Sequence, residues 1–339
     1  MAQIKTVTKI IKKTQLPKMT EEKQKTRKQH YVPQFYLKQW GDDSGCFYPI
    51  QIESKLPPKL TVFNRKSAPS RFCYENFFYA QKTGKEDEIS QVIENSFAEV
   101  EGIFSKELPK LEKKILGNEQ ITELDKHHLS EFMVFMWLKG KLHRQWSQRL
   151  MEDVMKDLNK HYMVRYINTN PEVEADMKEL GVTKQQMIEF IEKGEYSIDF
   201  GNTRHLRLME KAHGFCNLLR NKFWRVLISR KGEFITTDAP YLDMALSNKW
   251  FGNDFLSREQ TFILSPRVLV VASFPKNMEG KRFVRKDITS NRQLIQSVNS
   301  HSLMNSIMFG FHNDKSLLEE LSRFISAIHM IKEKGIVLS

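Results

Sequence analysis

Apolar positions change their spacing twice along this chain and divide it into three regions. Between residues 31 and 80, the short aromatic and β-branched runs Phe47 to Ile52 and Leu60 to Phe63 are separated by Gly41-Asp42-Asp43, Pro57-Pro58 and Pro69. That alternation of runs and breakers predicts strands and loops. From 86 to about 226 the period becomes helical: Ile89, Val92, Ile93, Phe97, Val100, Ile103 and Phe104 mark one face, and Leu124, Leu129, Phe132, Met133, Met136 and Leu142 another. Long packed helices follow from such faces. Within this region, residues 150–203 are highly charged and carry Asn168-Thr169-Asn170-Pro171, which predicts a helical insertion. Strand signals return as Val226-Leu227-Ile228, Glu233 to Thr236, Leu269 to Ala272 and Ile307 to Phe311, and the apolar spacing of Leu317 to Ile331 predicts a closing helix.

Strands at both ends of a helical middle predict an α+β fold whose terminal strand-rich segments form one sheet packed on a central multi-helix region. The corresponding domain reading is a basic flexible arm over 1–27, a single α+β domain over 28–312 with the charged insertion near 150–203, and a C-terminal helical segment over 313–339. With 339 residues and 40% apolar content, the chain can bury a large core. The longest apolar run, Phe132 to Leu138, stops at Lys139, far short of the roughly 18 residues a membrane span requires. Ile10-Ile11 is followed at once by Lys12-Lys13, so the N-terminus lacks the apolar stretch of a secretory signal. Cys46, Cys73 and Cys216 have no metal-ligand spacing, and the expected compartment is a reducing cytoplasm.

Charge points to a partner. Lys and Arg number 53 against 41 acidic residues, a net charge of +12. Nine of the basic residues fall in the first 28 positions, opposed only by Glu21 and Glu22. An arm of this kind favours phosphate backbones by releasing their counterions, which makes nucleic acid the expected partner. A solvated tail that only aids solubility is the competing reading, and Ile4, Val7 and Ile11 would also suit a short amphipathic helix for a protein or lipid partner.

Four groups of residues could carry chemistry. His30 stands beside Tyr31 and ahead of Pro33 in Gln29-His30-Tyr31-Val32-Pro33-Gln34-Phe35-Tyr36-Leu37, where an imidazole near neutral pKa could serve as general acid or base. Alternatively it is structural, with Tyr31 and Tyr36 packing the core. Thr236-Thr237-Asp238-Ala239-Pro240 forms a polar turn after a strand; Asp238 could hold a metal, orient His30 or anchor a phosphate-binding arginine, or simply cap its own backbone. Glu94 and Glu101, seven apart on one predicted helix, lie about 10 Å apart along the same side. A partly buried Glu101 requires a cationic partner or a catalytic reason, and Arg144 on the next helix is a candidate. Finally, His128 with Glu131 and Glu210 with His213 repeat a spacing found in di-metal bundles, which also need carboxylates on two further helices where Glu94 is the only candidate; Arg207–His213 and Arg323–His329 have a spacing of helical ribonucleases that chance accounts for.

The Gln29–Leu37 stretch, Cys73-Tyr74-Glu75-Asn76-Phe77-Phe78-Tyr79, Ile93-Glu94 with Glu101, and Phe234 to Pro240 together resemble the domain of unknown function 4238 family, in order and over roughly residues 28 to 312. The resemblance implies a mostly bacterial group with no settled activity, and it places the signature around His30. Family members often carry an arginine-containing segment at the end of the helix that here reads Leu138-Lys139-Gly140-Lys141-Leu142-His143-Arg144. The departure leaves the choice among Lys139, Lys141 and Arg144 open.

These features combine into an expectation: a cytoplasmic protein acting on nucleic acid, a hydrolase or nuclease of toxin or anti-phage type. His30, Asp238 and Arg144 would be catalytic, Tyr31, Tyr36, Lys141 and Thr237 would bind substrate, and a divalent metal ion, if used, would sit among Glu94, Glu101 and Asp238. The alternative is a non-catalytic binding, sensor or adaptor protein in which His30 to Leu37 is a rigid corner, with a protein partner.

Overall fold

The computed structural model describes residues 26–82, 89–179, 181–198, 212–243, 259–273 and 283–333. The basic arm, apart from its last two positions, therefore lies outside the described residues. Those two are fixed: Thr26 N–H donates to Gln91 Oε1 at 2.8 Å, and the Arg27 carbonyl accepts from Phe77 N–H at 2.8 Å. Residues of 1–141 and 205–339 belong to one compact unit, and Leu142–Arg204 form a second.

In the first unit β1 (Lys28–His30) leads through Pro33 into a single helical turn, α1 (Gln34–Leu37). Next come β2 (Tyr48–Lys55), β3 (Pro58–Val62), β4 (Tyr74–Asn76), and a small antiparallel pair, β5 (Gln81–Lys82) with β6 (Ile89–Ser90). Two long helices follow, α2 (Val92–Leu116) and α3 (Glu123–Lys139). Helix α2 buries Ile93, Phe97, Val100, Phe104, Leu108, Leu111 and Ile115, a spacing of three or four that is one helical face. Helix α3 starts at a capping box, Thr122 with Asp125, and is buried nearly all round from Leu129 to Met136. Gly140, with ψ of 138°, ends it, so Leu142 belongs to the next helix rather than to the face predicted for it, and it is exposed.

The second unit contains the rest of α4 (Lys141–Thr169), together with α5 (Glu172–Glu179) and α6 (Lys184–Lys193). Ile167, Met177 and Ile191 form its small core. A Thr183–Gln186 capping box opens α6, and Gly194 closes it with φ of +63°, a conformation other residues adopt only under strain.

Back in the first unit are α7 (Ala212–Arg220), β7 (Phe223–Ile228), β8 (Thr236–Thr237), β9 (Tyr241–Asp243), β10 (Gln260–Ser265), β11 (Val268–Ser273), β12 (Phe283–Asp287), α8 (Arg292–Asn305), β13 (Phe309–His312) and α9 (Lys315–Glu333). The α+β class is as predicted. N-terminal and C-terminal segments do share a sheet, of order β3-β2-β13-β8, in which Gly310 faces both Ile50 and Thr237. The single-sheet expectation fails for the remainder. Strands β12-β7-β11-β10-β9 make a second, five-stranded sheet in which only β12 and β7 run parallel. Val268 to Ala272 are buried on both faces, so this sheet is enclosed by other elements instead of extending the first.

Four aromatic rings tie the regions together. Tyr36 lies 4.7 Å from Trp40, 5.7 Å from Phe262 and 6.1 Å from Phe132, ring centre to ring centre. Its hydroxyl donates to the Ile263 carbonyl at 2.5 Å and lies 3.0 Å from Thr236 Oγ1, while Trp40 Nε1 donates to the Phe234 carbonyl at 2.8 Å. Two sequence motifs 200 residues apart are thus bolted to each other at full burial. Tyr36→Phe should cost about 1–2 kcal/mol of unfolding free energy, measured by denaturant titration, because it strips a buried hydroxyl from its partners.

Candidate active site

Strand alternation sets the geometry at the start of the domain. Gln29, on β1, points inward: its Oε1 accepts from Tyr79 N–H at 2.6 Å and the side chain is fully buried. Lys28 and His30 therefore share the opposite face, where both rest on Tyr74, with the Lys28 Nζ 4.7 Å and the His30 ring 5.5 Å from its ring centre. Pro33 turns the chain so that Gln34, four residues on, brings its side-chain amide 3.5 Å from His30 Nδ1. Nε2 of His30 is buried and has no hydrogen-bond partner.

His30 is one of the residues lining a cavity of about 590 Å³. Thr26, Lys28, His30 and Gln34 line one side, and Ser70 and Arg71, on a 3-10 turn, another. Helix α2 contributes Glu94 from its first turn and Glu101 two turns along, and α3 contributes its last residue, Lys139. A lysine only 2% exposed needs an explanation, and the surroundings supply three. Its Nζ pairs with Glu101, sits over the rings of Phe97, Tyr79 and Phe135 at 4.9, 5.5 and 5.7 Å, and lies at the C-terminal, negative end of a helix. The Tyr79 hydroxyl further donates to the Lys139 carbonyl at 2.5 Å.

These neighbours shift the two titrating groups in opposite directions. Burial, then the Lys139 charge and more weakly Lys28, lower His30 from 6.5 to about 4, with the Ser70 backbone pulling the other way. The ring is neutral at physiological pH. Since that value lies below the unfolded one, neutral His30 supports the fold above pH 6.5, and the support is lost as pH falls through about 4. Burial raises Glu94 and the Glu101 carboxylate adds to the rise, while Lys139 opposes it; one Glu94 oxygen, Oε2, is buried without a partner. The cavity thus joins a neutral imidazole, a carboxyl with one unpartnered oxygen and a fixed cation. Lys139→Met, which keeps the shape of the side chain and removes its charge, should raise the His30 pKa above 4 in an imidazole NMR titration.

The other predicted site residues lie elsewhere. Asp238 is 1% exposed, and its carboxylate accepts from the backbone N–H groups of Ile307 and Met308 at 2.8 Å and Phe309 at 3.0 Å. Burial pushes it up to about 6 against the pull of these amides. It does not line the cavity, and the role of orienting His30 or holding a metal gives way to that of fastening β8 to the segment entering β13. Thr237 is buried, its Oγ1 accepting from Ala239 N–H at 3.1 Å. Tyr31 and Tyr36 are core residues rather than substrate contacts. Lys141 pairs with Glu75 and lies 5.8 Å from the Tyr31 ring centre. Arg144 belongs to the second unit, and the partner expected of it for Glu101 is Lys139. His30, Glu94 and Glu101 line the same cavity. Lys28, Gln34, Ser70 and Arg71 were not anticipated; strand alternation from Gln29 could have found Lys28, and the i,i+4 spacing from His30 could have found Gln34.

No group of three His, Cys, Asp or Glu side chains able to hold a metal occurs among the described residues. His127 Nε2 lies 3.4 Å from Glu131 Oε1 on α3, and burial pushes Glu131 up to about 7. Arg207 and Glu210, from the ribonuclease-like and di-metal spacings, are outside the described residues.

A family model described as "Protein of unknown function (DUF4238)" matches residues 28–316. The chain belongs to this family. Searches among curated proteins and among solved structures each return no match. The DUF4238 span begins at Lys28 and so includes every cavity residue except Thr26. It also covers both larger sheets and ends just inside α9. No helix among the described residues is long and apolar enough to cross a membrane.

Proposed function

We propose that this DUF4238 protein cleaves phosphodiester bonds of nucleic acid in the His30–Glu94–Lys139 cavity. The observation that carries the reading is the meeting, in one cavity, of a neutral imidazole with a free Nε2, a carboxyl raised by burial and a buried cation. Environments that drive two titrating groups in opposite directions are how acid and base roles are assigned in one site. His30 accepts the proton of the attacking hydroxyl at Nε2 once the Gln34 amide, whose nitrogen lies 3.5 Å from Nδ1, rotates to offer its oxygen to Nδ1–H and so leaves Nε2 bare. Glu94 delivers a proton to the leaving oxygen. Lys139, locked by Glu101 and three rings, faces the negative charge that builds on the phosphoryl oxygens, and Lys28 and Arg71 are the exposed cations that meet the approaching backbone. An imidazole near 4 is a weak base in the empty site. A bound phosphodiester supplies the negative charge that offsets Lys139 and brings His30 towards neutrality, so base strength arrives with the substrate.

The +12 charge and the basic arm give the same polyanion a long-range attraction. Part of the alternative, a rigid binding corner, also has support, because Tyr36 and Trp40 are locked in the core. Those residues explain the rigidity of the corner but not the free Nε2 of His30. The two readings separate with purified full-length protein and labelled oligonucleotides: phosphodiesterase action should yield shorter products, together with growth arrest on expression in cells, as the toxin or defence setting requires. Binding that is salt-dependent yet leaves every oligonucleotide intact would support the sensor or adaptor reading instead.

A further inference from the structure

We propose that the substrate is RNA, and that the cavity holds a single unpaired ribonucleotide whose own 2′-hydroxyl is the nucleophile. The inference rests on the phosphodiesterase reading and goes further in naming where the attacking oxygen comes from. About 590 Å³ is room for one ligand of ordinary small-molecule size and not for a base-paired segment, so the target nucleotide must be unstacked to enter. Once it has entered, its 2′-oxygen is already beside the phosphorus. Intramolecular placement of this kind supplies effective concentrations of about 10⁵–10⁸ M, and the protein then has to provide only a base, an acid and charge stabilisation.

The cavity contains that complement from separate elements: His30 on β1, Glu94 on α2 and Lys139 at the end of α3. In the step, the 2′-hydroxyl proton passes to His30 Nε2 as the O2′–P bond forms. The P–O5′ bond breaks, and the Glu94 carboxyl proton passes to O5′. The products are a 2′,3′-cyclic phosphate and a 5′-hydroxyl end, with one proton taken up and one released by the protein. No oxidant, reductant or further reactant enters. The raised Glu94 supports the acid role, since a carboxyl must hold a proton to give one.

The test uses the full chain and two labelled single-stranded oligonucleotides of one sequence, all-DNA and DNA with a single central ribonucleotide. Cleavage should occur only on the 3′ side of the ribonucleotide, with the new end identified by mass spectrometry as a 2′,3′-cyclic phosphate. Glu94→Gln should reduce the rate about 10²-fold or more while the circular dichroism melt is retained, which excludes a contaminating ribonuclease. Cleavage of the all-DNA strand at a comparable rate, or a 3′-hydroxyl with a 5′-phosphate from either strand, would overturn the RNA assignment and leave the phosphodiesterase reading standing. Failure to cut either strand, or an RNA of varied sequence offered in their place, would overturn both.

Discussion

His30→Ala should lower phosphodiester cleavage by about 10²- to 10⁴-fold, the usual yield of a positioned general base, while leaving stability within about 1 kcal/mol of the parent. The stability half of this expectation follows from the contacts. Nδ1 touches the Gln34 amide only at 3.5 Å, so truncation costs that weak contact and the one to the Ser70 backbone. Affinity for an oligonucleotide should hardly change, because the cations remain. A structural histidine would give the reverse pattern, with folding, binding and activity lost together. Rates and thermal melts on the same preparation distinguish the two.

Asp238→Asn should destabilise the protein by about 3–5 kcal/mol and reduce all activities in proportion to the folded fraction. Three backbone N–H groups converge on this carboxylate, and it is 1% exposed. An asparagine presents one acceptor oxygen where there were two and turns an N–H₂ towards donors, so at least one buried amide is left without a partner. At a permissive temperature the surviving folded protein should cleave at nearly the parental rate per molecule. Urea unfolding with activity assays below the transition measures both. The pair of variants therefore separates two residues that the sequence placed in one site: one is expected to act on the chemistry, the other on the fold.

Why the sequence joined them is a matter of what local patterns contain. A polar turn after a strand reads the same whether its carboxylate faces solvent or accepts amides, and the amides that decide the case belong to Ile307–Phe309, some 70 residues away. The same limit explains the sheets. Short aromatic and β-branched runs marked β2, β7, β11 and β13, but the registers that assign β13 to β2 and β11 to β7 depend on long-range pairing. Helical regions were more legible, since the apolar face of α2 repeats without interruption from Ile93 to Ile115. Glu94 and Glu101 followed from it, being two turns apart on one side. Lys139 remained one of three candidates because the choice depends on where α3 stops, and Gly140 is a weak stop signal among Lys139, Lys141 and Arg144. Tyr31 and Tyr36 carry hydroxyls that suit substrate binding or buried hydrogen bonds equally; the acceptor of the Tyr36 proton, the Ile263 carbonyl, is invisible from its own segment.

The central claim is that phosphate binds against His30 Nε2 in the cavity beside Lys139. Its most direct test is an NMR titration of the His30 imidazole, with and without a single-stranded oligonucleotide made uncleavable by 2′-O-methylation. Free protein should show a pKa of about 4, and the complex a clear rise with a displaced Nε2 resonance, as the phosphate charge offsets Lys139. Saturating oligonucleotide binding that leaves both the His30 pKa and its Nε2 resonance unchanged would place the phosphate elsewhere and contradict the account.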